Sequence, residues 1–272
     1  MATLGAARCG AVEGKNRMSR KKDTRQRAIL DQLAVSPTMR VGRLAETLDV
    51  TTETIRRDLE ELAAQGMIAR TYGGAMLRQP AEPALSERHL ELVEERAAIG
   101  QAALSYLAEA RVIMLGSGAT TTQLAKFIAI EMHGLTVIAH SVSVASALSL
   151  NPTIQVVMAP GVYHPGEGAM HGAQAVRFLS DYSADWSVTG ASAMSPLGPS
   201  DALIDAADVY ATMLRQSARH MVVADHSKFD RMATARYADW GDIDVLVTDA
   251  RPQGPLRRAL VAGEVEVKLA KV

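Results

Sequence analysis

The stretch T-T-E-T-I-R-R-D-L-E-E-L-A-A-Q-G-M-I-A-R-T-Y-G-G-A-M-L, residues 51–77, has two different periodicities that meet at Gly66. Before Gly66, three apolar residues follow the i, i+4, i+7 spacing of one buried helical face: Ile55, Leu59 and Leu62. Thr51 is suited to cap this helix with its hydroxyl group, and glycine is a typical helix end. After Gly66, strand candidates at residues 67–71 and 75–77 flank a Tyr-Gly-Gly turn. The stretch therefore predicts a helix followed by a two-stranded hairpin.

The polar side of this predicted helix suits contact with double-stranded DNA. Adjacent arginines near its start fit a helix that enters the major groove, while a basic hairpin contacts the backbone beside it. The candidate DNA-binding residues are Thr52, Thr54, Arg56 and Arg57 on the helix, and Arg70 and Tyr72 on the hairpin. The alternative is a helical packing unit whose arginines lie on a solvated face.

Two further helices are predicted upstream of this stretch. Residues 25–34 and 41–48 each carry apolar residues at helical spacing, and Ser36-Pro37 separates them. Three short helices and a hairpin that bury one small core are typical of a winged helix-turn-helix, which we assign to residues 23–78. Residues 1–22 have no periodic apolar pattern and are predicted to form a disordered basic tail.

Composition indicates a globular protein of a reducing compartment. The chain has 272 residues, enough for two domains, of which 48% are hydrophobic and 22% charged. The single cysteine, Cys9, excludes an internal disulfide and is typical of a cytoplasmic protein. No apolar run approaches the ~20 residues of a membrane helix, and the N-terminus lacks the apolar core of a signal peptide. We therefore expect a cytoplasmic protein with no membrane partner, associated with the nucleoid when bound to DNA.

The net charge of −1 hides an asymmetry between the two ends of the chain. Residues 1–80 carry 14 Lys and Arg against 9 Asp and Glu, a balance of +5, which leaves 15 basic and 21 acidic residues, or −6, for the remainder. A basic head on an acidic body is typical of a phosphate-contacting module joined to one that makes no such contacts. Chance together with a solvated basic tail is the alternative explanation.

The remainder of the chain has the pattern of an α/β domain. Residues 79–92 contain two prolines and are predicted to form a linker. From residue 93 to residue 272, apolar strand candidates alternate with helical stretches, which predicts a largely parallel sheet. The strand candidates are residues 112–115, 136–139, 155–159, 187–190, 221–224 and 244–248. Ligands of such sheets bind beyond the carboxyl ends of the strands, so the loops that follow them are the candidate sites.

The loop after the first of these strands, G-S-G-A-T-T-T at residues 116–122, is suited to bind an anion. Two glycines let its backbone approach a ligand, and amide and hydroxyl donors at the start of the next helix favour a phosphate group. The loop lacks the lysine of a nucleotide-hydrolysing P-loop, and Thr121 stands where a dinucleotide fingerprint has its third glycine. An ordinary strand-to-helix turn with Thr120 as N-cap is the alternative.

Three later loops add candidate contacts to the same ligand. Ser141 offers a hydroxyl group after a second strand, and Gly161 lies in a glycine-rich loop that can fold over a pocket. After a buried strand, Asp225 can accept from a sugar hydroxyl and Lys228 can pair with phosphate. The candidate effector-binding residues are Ser117, Gly118, Ala119, Thr120, Thr121, Ser141, Gly161, Asp225 and Lys228. Two histidines in the glycine-rich loop, His164 and His171, have no second ligand cluster in the sequence, so we expect neither a metal nor a cofactor.

From about Thr24 to Asp249 the chain resembles the DeoR family of bacterial sugar-metabolism regulators. The resemblance is most specific in V-T-T-E-T-I-R-R-D-L-E-E-L-A-A-Q-G-M-I-A-R-T-Y-G-G-A, where Tyr72 replaces the usual histidine. The C-terminal half resembles that family's sensor domain, which is similar in fold to ribose-5-phosphate isomerase. The matching pieces are G-S-G-A-T-T at 116–121, Gly172, T-G-A-S-A at 189–193, V-V-A-D-H-S-K-F at 222–229 and V-L-V-T-D at 245–249. Three positions depart from the family pattern. Gly116 stands where an aspartate is usual, Ala139-His140 replaces the common Thr-Asn, and Pro160-Gly161 replaces a Gly-Gly.

The resemblance implies a repressor of a carbohydrate or polyol catabolic operon that is released or modulated by a phosphorylated sugar-like metabolite. Its partners would be double-stranded operator DNA, that effector, and further copies of the chain in a homodimer or homotetramer. Oligomerisation is expected because one small head contacts too few bases for specificity.

The related isomerases carry the acidic run D-G-A-D-E where this chain has Thr189-Gly190-Ala191-Ser192-Ala193. The nearest acids, Asp185 and Asp201, lie outside that segment. Proton abstraction next to a carbonyl group needs a base, so we expect a binding pocket without catalytic residues rather than an enzyme. The alternatives are a sugar-phosphate isomerase-like enzyme with a DNA-tethering head, and an architectural DNA binder whose C-terminal half only oligomerises.

Overall fold

The computed structural model describes residues 22, 24–33, 38–64, 67–77 and 82–272. The chain divides into two compact units, Met1–Pro80 and Ala81–Val272. Most of the predicted basic tail, at residues 1–21, and the predicted helix end at Gly66 lie outside the described residues.

The described part of the N-terminal unit contains three helices and a three-stranded antiparallel sheet. In chain order the elements are α1 (residues 24–33), β1 (Thr38–Arg40), α2 (Val41–Thr47), α3 (Thr52–Ala64), β2 (Ile68–Thr71) and β3 (Gly74–Leu77). Strand β3 lies between β1 and β2. The predicted winged helix-turn-helix is confirmed, with β1 as an addition: its three residues hold one buried side chain and too few positions to show an alternating pattern.

One apolar core holds these elements together. It consists of Ile29, Leu33, Met39, Val41, Leu44, Ala45, Ile55, Leu59, Leu62, Ile68 and Ala75. Full burial of a branched aliphatic side chain contributes about 1.5–3 kcal/mol, so the helical spacing seen in the sequence is also what stabilises this small unit. Apart from Asp58, the positions of α3 that do not enter the core are half-buried or exposed.

The C-terminal unit is an α/β domain. In chain order its elements are α4 (Leu85–Arg88), α5 (Val93–Leu107), β4 (Val112–Leu115), α6 (Ala119–Glu131), β5 (Thr136–Ala139), α7 (Val142–Leu148), β6 (Gln155–Met158), β7 (Val162–His164), β8 (Ala169–His171), α8 (Ala173–Ser180), β9 (Ala184–Thr189), β10 (Ala193–Ser195), β11 (Gly198–Asp201), α9 (Ile204–Arg215), β12 (Ser217–Val223), β13 (Ala235–Arg236), β14 (Val245–Thr248), α10 (Gly254–Ala262) and β15 (Glu266–Leu269). Short 3-10 turns follow β12 and β13. Among the described residues no helix is long and apolar enough to cross a bilayer.

Seven of these strands form one sheet, in the order β15-β14-β12-β9-β4-β5-β6, and every neighbouring pair is parallel. Helices cover both faces of the sheet, so the alternate residues of a strand enter two different apolar cores. In β4, Ile113 and Leu115 pack in one core and Met114 packs in the other. The predicted largely parallel sheet is confirmed.

The strand boundaries differ from the prediction where polar residues extend a strand. Strand β9 begins three residues before Ser187, and β12 begins four residues before Met221. Strand β15, with the sequence E-V-K-L at one edge of the sheet, was not predicted because only two of its four residues are apolar. The glycine-rich loop also contains more structure than expected, namely the β7–β8 hairpin.

The strand order reverses between two central neighbours. From β4 the chain proceeds outward through β5 and β6, and from β9 it proceeds through β12, β14 and β15 to the other edge. A crevice forms at such a reversal outside the carboxyl ends of the strands, and this is where doubly wound sheets bind ligands. The loops after β4, β9 and β12 meet there.

Candidate functional site

The first candidate site lies on α3, whose buried face is the one that the apolar spacing predicts. Ile55, Leu59 and Leu62 are at most 1% exposed. The Thr51 hydroxyl group accepts a hydrogen bond from the backbone N–H of Thr54 at 3.2 Å, so Thr51 caps the helix as predicted. The core and this cap fix which side of α3 faces solvent.

Asp58 is a fourth buried residue on this face of α3, and it was not singled out from the sequence. It is 2% exposed and pairs with Arg25 of α1 through two contacts, one of which joins Arg25 Nη2 to Asp58 Oδ1 at 3.0 Å. Hydrogen bonding to this carboxylate raises the pKa of Arg25 above its ordinary value. The i+3 spacing from Ile55 was the available signal, since it places Asp58 on the apolar face. The ion pair fixes α1 against α3.

The two adjacent arginines of α3 are exposed, by 58% of the side chain for Arg56 and 76% for Arg57. Glu53, one turn earlier, lies 3.9 Å from Arg56 Nη1 and 3.3 Å from Arg57 Nε. Exposed pairs of this spacing contribute only about 0.3–0.5 kcal/mol, so both guanidinium groups are available to a stronger anion. Thr52 is exposed as well, whereas Thr54 is half-buried and its hydroxyl group lies 2.9 Å from that of Thr51.

The hairpin contributes the other two candidate residues. Tyr72 lies at the turn between β2 and β3 and is fully exposed. Arg70 on β2 is exposed too, and its Nη1 atom donates a hydrogen bond to the carbonyl oxygen of Arg56 at 3.3 Å. This contact joins the basic residue of the hairpin to the arginine-bearing side of α3, so the candidate residues from both elements share one region of the surface.

The second candidate site is a pocket at the reversal of the sheet, which we call the switch-point pocket. It encloses about 420 Å³, including its open mouth. It is lined by Arg88, Arg96, Ser117, Gly118, Ala119, Thr120, Thr121, Glu167, Gly190, Ala191, Ser192, Asp201, Tyr210, Val223, Ala224, Asp225 and Lys228. Seven of the nine predicted effector-binding residues are brought together here.

The start of α6 presents free backbone donors to the switch-point pocket. Gly118, the residue before the helix, has φ +132°, a conformation that L-residues rarely adopt. Among the described residues, the backbone N–H groups of residues 118–121 have no acceptor, whereas the N–H of Thr122 donates to the Gly118 carbonyl oxygen at 3.1 Å. Unpaired N–H groups together with the helix dipole favour an anion at this end of α6.

The remaining part of the loop is fixed by two buried aromatic rings. The backbone N–H of Ser117 donates to His140 Nε2 at 3.1 Å, so the proton of this imidazole is on Nδ1, 2.9 Å from the Met170 carbonyl oxygen. Burial lowers the pKa of His140 to about 3, so the ring is neutral at pH 7. The Tyr210 hydroxyl group donates to the Ser117 carbonyl oxygen at 2.9 Å. His140, where the family has asparagine, therefore positions the loop from behind.

Gly116 leaves room for the Tyr210 ring. A Cβ atom at Gly116 would lie 2.9 Å from Tyr210 Cε1 and 3.3 Å from the Val188 carbonyl oxygen. An aspartate, which is usual at this position in related sensor domains, would therefore displace the tyrosine. This departure from the family is physically linked to Tyr210, which lines the pocket.

Three basic residues line the switch-point pocket, and each forms an ion pair. Arg96 Nε lies 2.9 Å from Asp225 Oδ2, and both side chains are at most 4% exposed. Arg88 pairs with Glu167 and, at 3.2 Å, with Glu82. Lys228 Nζ lies 2.9 Å from Glu82 Oε1, and its side chain is 16% exposed. Lys228 is thus largely buried and paired.

Arg88 and Arg96 were missed by sequence reasoning. Residues 79–92 were assigned to a linker, whereas residues 82–92 belong to the C-terminal unit, where Leu85 and Arg88 of α4 are buried. Arg96 lies on α5, a helix whose apolar and polar residues are not clearly separated into two faces. The two arginines are visible in the sequence eight residues apart. Their local sequence does not indicate that they pack against a strand end more than a hundred residues later.

Three carboxylate side chains line the switch-point pocket, and of these only Asp225 was predicted there. Asp201, at the end of β11, lines the pocket, as do Glu167 and Asp225. Burial raises the pKa of Asp201 to about 6, and burial also raises the pKa of Glu167. Asp201 accepts from the backbone N–H of Leu203 at 2.9 Å and from the Ser192 hydroxyl group at 3.3 Å. The antiparallel β10–β11 hairpin, which the sequence analysis did not include, places it there.

Two of the predicted effector-binding residues lie outside the lining of the switch-point pocket. Ser141 is fully buried, and its hydroxyl oxygen accepts from the backbone N–H of Val144 at 3.4 Å, so it caps α7. Gly161 is exposed, and a Cβ atom there would lie 2.6 Å from the carbonyl oxygen of His171. Asp225 does line the pocket, but its carboxylate already accepts from Arg96 and from Ser227.

The histidines of the glycine-rich loop lie near one another. The ring centroids of His164 and His171 are 6.1 Å apart, and those of His140 and His171 are 5.2 Å apart. Burial lowers the pKa of His171 to about 4. The described residues contain no group of three or more His, Cys, Asp or Glu side chains arranged to hold a metal ion.

Two family models match the chain. The one for the DeoR-like helix-turn-helix domain matches residues 25–81, and the one for the DeoR C-terminal sensor domain matches residues 91–250. The chain is similar to the HTH-type transcriptional repressor CsqR of Escherichia coli K12, with 30% identity over 233 residues that cover 85% of this chain and 89% of that protein. It is also similar to the glycerol-3-phosphate regulon repressor of Escherichia coli K12, with 25% identity over 255 residues that cover 92% and 99%.

Among solved structures, ribose 5-phosphate isomerase A from Methanocaldococcus jannaschii is similar to this chain with a TM-score of 0.36. The sequence identity is 16%, over 49% of this chain and 53% of that one. A likeness at this level supports no conclusion about function. The family assignment rests on the matches to the two domain models and to the repressors.

Proposed function

This chain belongs to the DeoR family of DNA-binding transcriptional regulators, and we propose that it represses a carbohydrate or polyol catabolic operon. In this proposal a phosphorylated sugar or polyol binds in the switch-point pocket and releases or modulates the protein at its operator. The C-terminal unit then senses the effector and joins the copies of the chain, and the protein acts in the cytoplasm, at the nucleoid, where its operator is.

The DNA half of this proposal is supported by the exposed basic surface of the N-terminal unit. The guanidinium groups of Arg56 and Arg57 are held outward near the start of α3, where a recognition helix contacts base edges. We assign Thr52 and Thr54 to contacts beside them, and Arg70 and Tyr72 to contacts with the DNA backbone. Each phosphate contact releases a counterion, so binding is expected to be strongly salt-dependent.

The observation that carries the effector half is the start of α6 at the sheet reversal. Four free N–H groups at residues 118–121 point to an anion with several acceptor oxygens, and Lys228 and Arg88 add positive charge to the same pocket. One relative is named as the repressor of the glycerol-3-phosphate regulon, which agrees with a phosphorylated polyol as the effector class. Ser192 and Asp201 supply polar groups for the hydroxyl groups of such a ligand.

One observation favours a second candidate function, sugar-phosphate isomerisation. Asp201 and Glu167 both have raised pKa values and line the pocket, and a carboxylate with a pKa near 6 is suited to act as a general base. In the proposed regulator these carboxylates bind sugar hydroxyl groups and do not abstract protons. Incubation with pentose and hexose phosphates separates the two functions: no product above the buffer control is expected, and turnover that is lost in Asp201→Asn would establish the enzyme.

The proposal includes self-association, because one winged helix contacts too few base pairs to select an operator. We expect a homodimer or homotetramer that binds repeated half-sites. Light scattering after size-exclusion chromatography measures the mass directly, and a 29.1 kDa species at the concentrations that bind DNA would contradict this part.

The effector assignment is tested by thermal shift with a panel of phosphorylated sugars and polyols and their unphosphorylated counterparts. A ligand of the folded state raises the apparent melting temperature by mass action. We expect a shift with at least one phosphorylated compound, none with its unphosphorylated counterpart, and loss of the shift in Lys228→Met. Lys268→Met, at an exposed lysine of β15, is the matched control and should respond like wild type. Equal responses of both variants would remove Lys228 from the site.

A further inference from the structure

Glu82 neutralises two of the three basic groups in the switch-point pocket. Its Oε1 atom lies 2.9 Å from Lys228 Nζ and 3.2 Å from Arg88 Nη1. The Glu82 side chain is 9% exposed, so solvent screens these contacts little. A single carboxylate oxygen thus lies between the ammonium group and the guanidinium group, at the place where a ligand phosphate oxygen would be most strongly attracted.

The other basic group is committed elsewhere. Arg96 pairs with the buried Asp225 and also donates to the Glu91 carbonyl oxygen at 2.9 Å, so it connects elements of the unit. Arg88, in contrast, keeps one donor free: its buried Nε atom has no hydrogen-bond partner among the described residues. An unpaired guanidinium donor in a buried position is unfavourable, and an oxygen-rich ligand in the pocket would satisfy it. Lys228 and Arg88 are therefore the basic groups that an entering anion can take over.

Glu82 differs from the other acidic groups in its place in the chain. It lies five residues after Leu77, the last residue of the hairpin in the DNA-binding unit, and three residues before α4. Asp225 follows a central strand and Asp201 ends β11, so both are held by the sheet region of the unit. Of these three carboxylates, Glu82 is the one that lies nearest along the chain to the DNA-binding unit.

We propose that Glu82 is a built-in competitor of the effector: it occupies Lys228 and Arg88 in the empty pocket, and the phosphate group displaces it and frees the segment that begins at residue 82. This inference rests on the proposed function and specifies how binding is transmitted. Both anions accept hydrogen bonds from the same donors, but a phosphate monoester carries about −1.5 to −2 charges and three acceptor oxygens, against one charge and two oxygens. Phosphate therefore prevails when its concentration is high enough.

Displacement, not protonation, removes Glu82 from the cations at neutral pH. Burial opposes its ionisation, but the charges of Lys228 and then Arg88 outweigh it and hold the pKa of Glu82 below its ordinary value. The groups that face Glu82 also include Glu167, which shares Arg88, and Asp201. A phosphate group and the ionised Glu82 cannot both bind Lys228 and Arg88, because two negative charges in contact with the same cations repel each other strongly in a partly buried site.

The test measures the affinity of the full chain for inorganic phosphate by calorimetry at pH 7.5. Inorganic phosphate is the probe because it has no sugar hydroxyl groups that Glu82 could bind. In Glu82→Gln the Kd is expected to fall about tenfold, because the phosphate no longer exchanges with a carboxylate. Glu87→Gln, which removes the same charge from an exposed position on α4, is the matched control and should leave the Kd within about twofold of wild type. An unchanged or higher Kd in Glu82→Gln, or an equal gain in Glu87→Gln, overturns the proposal.

Hydrogen exchange supplies a second measurement that does not depend on affinity. Saturating phosphate is expected to speed backbone exchange over residues 82–92 in wild type, and Glu82→Gln should show that faster exchange before any phosphate is added. Exchange that slows or stays constant in wild type overturns the displacement. Failure of the proposed function looks different: phosphate then binds neither wild type nor Glu82→Gln, and Lys228→Met changes nothing, which overturns this inference along with it.

Discussion

Arginine serves opposite purposes in the two units of this chain. Arg56 and Arg57 of the N-terminal unit are more than half exposed and share one weak carboxylate partner, Glu53. Arg88 and Arg96 of the C-terminal unit are at most 10% exposed and are paired with buried or half-buried carboxylates. The side chains of Arg56 and Arg57 are thus available to a large external polyanion, whereas those of Arg88 and Arg96 are already ion-paired.

The exposed and the buried arginines suit two different ways of binding an anion. In the proposed function the exposed arginines exchange small counterions for DNA phosphates, so the affinity for DNA depends on salt and binding requires little reorganisation of the protein. The buried basic groups must exchange one bound oxygen for another, so affinity depends on how a ligand competes with internal carboxylates. A tight, selective response to a small metabolite is therefore linked to the internal ion pairs, and substitutions in the two units should have different signatures.

The largest effect is expected for Arg96→Met, which leaves Asp225 buried without its cation. Removing one partner of a buried pair typically costs about 3–5 kcal/mol, because the remaining charge is uncompensated. The free energy of unfolding of the C-terminal unit, measured by urea denaturation of the full chain, should fall by about that amount. Arg257→Met, at an exposed arginine of α10, is the control and should stay within about 0.5 kcal/mol of wild type.

The pH dependence of Asp201 gives the next largest effect. Burial raises its folded pKa to about 6 from an unfolded value of 3.8, so its contribution to stability is fully present below pH 3.8 and is lost as the pH rises through 6. Asp201→Asn removes this loss, and the free energy of unfolding of the variant relative to wild type should increase by about 2–3 kcal/mol between pH 4 and pH 7. A difference that stays flat across this range would show that folding does not raise the pKa of Asp201.

The exposed arginines should affect DNA binding and not stability. Arg56→Ala or Arg57→Ala is expected to weaken operator binding by about 1–3 kcal/mol where the side chain contacts a base, or to lower the salt slope by about 1 where it contacts a phosphate. The free energy of unfolding should change by less than about 0.5 kcal/mol. Fluorescence anisotropy with the upstream DNA of the operon at several salt concentrations measures both effects, with Arg258→Ala as the control. Unchanged binding in both variants would contradict the assignment of the DNA-binding surface.

The smallest effect is expected at the start of α3. Thr51→Ala removes the hydrogen bond to the Thr54 backbone N–H, and loss of such a cap costs about 1 kcal/mol of stability. The unfolding transition of the N-terminal unit should move by that amount, while that of the C-terminal unit stays unchanged. Thr51→Ser, which keeps the hydroxyl group, should restore most of the loss.

Local periodicity was sufficient to predict the N-terminal unit. The spacing of Ile55, Leu59 and Leu62 reflects contacts within one helix and its immediate neighbours, and the structure has the predicted face, cap and hairpin. In the C-terminal unit the same kind of signal predicted six of the seven strands of the parallel sheet and the loop at residues 116–122. This loop runs directly into α6, so the residue types that favour an anion there are visible in seven consecutive residues.

The charged lining of the pocket could not be predicted in this way. Arg96 and Asp225 are 129 residues apart, and Glu82 and Lys228 are 146 residues apart. Only the order of strands in the sheet brings them together, and sequence spacing does not report that order. Asp201 depends on the short β10–β11 hairpin, whose residues include serine, proline and glycine and give no strand pattern. Long-range ion pairs are therefore the part of this site that required a structure.

The central claim is that a ligand in the switch-point pocket changes the affinity of the N-terminal unit for DNA. The direct measurement is the operator Kd, by fluorescence anisotropy at fixed salt, with and without the phosphorylated compound that gives the largest thermal shift. A coupling free energy of about 1–3 kcal/mol predicts that the compound raises the Kd of wild type about 5- to 150-fold and leaves that of Lys228→Met unchanged. A compound that binds wild type without moving the operator Kd, or that acts equally on Lys228→Met, would contradict the account.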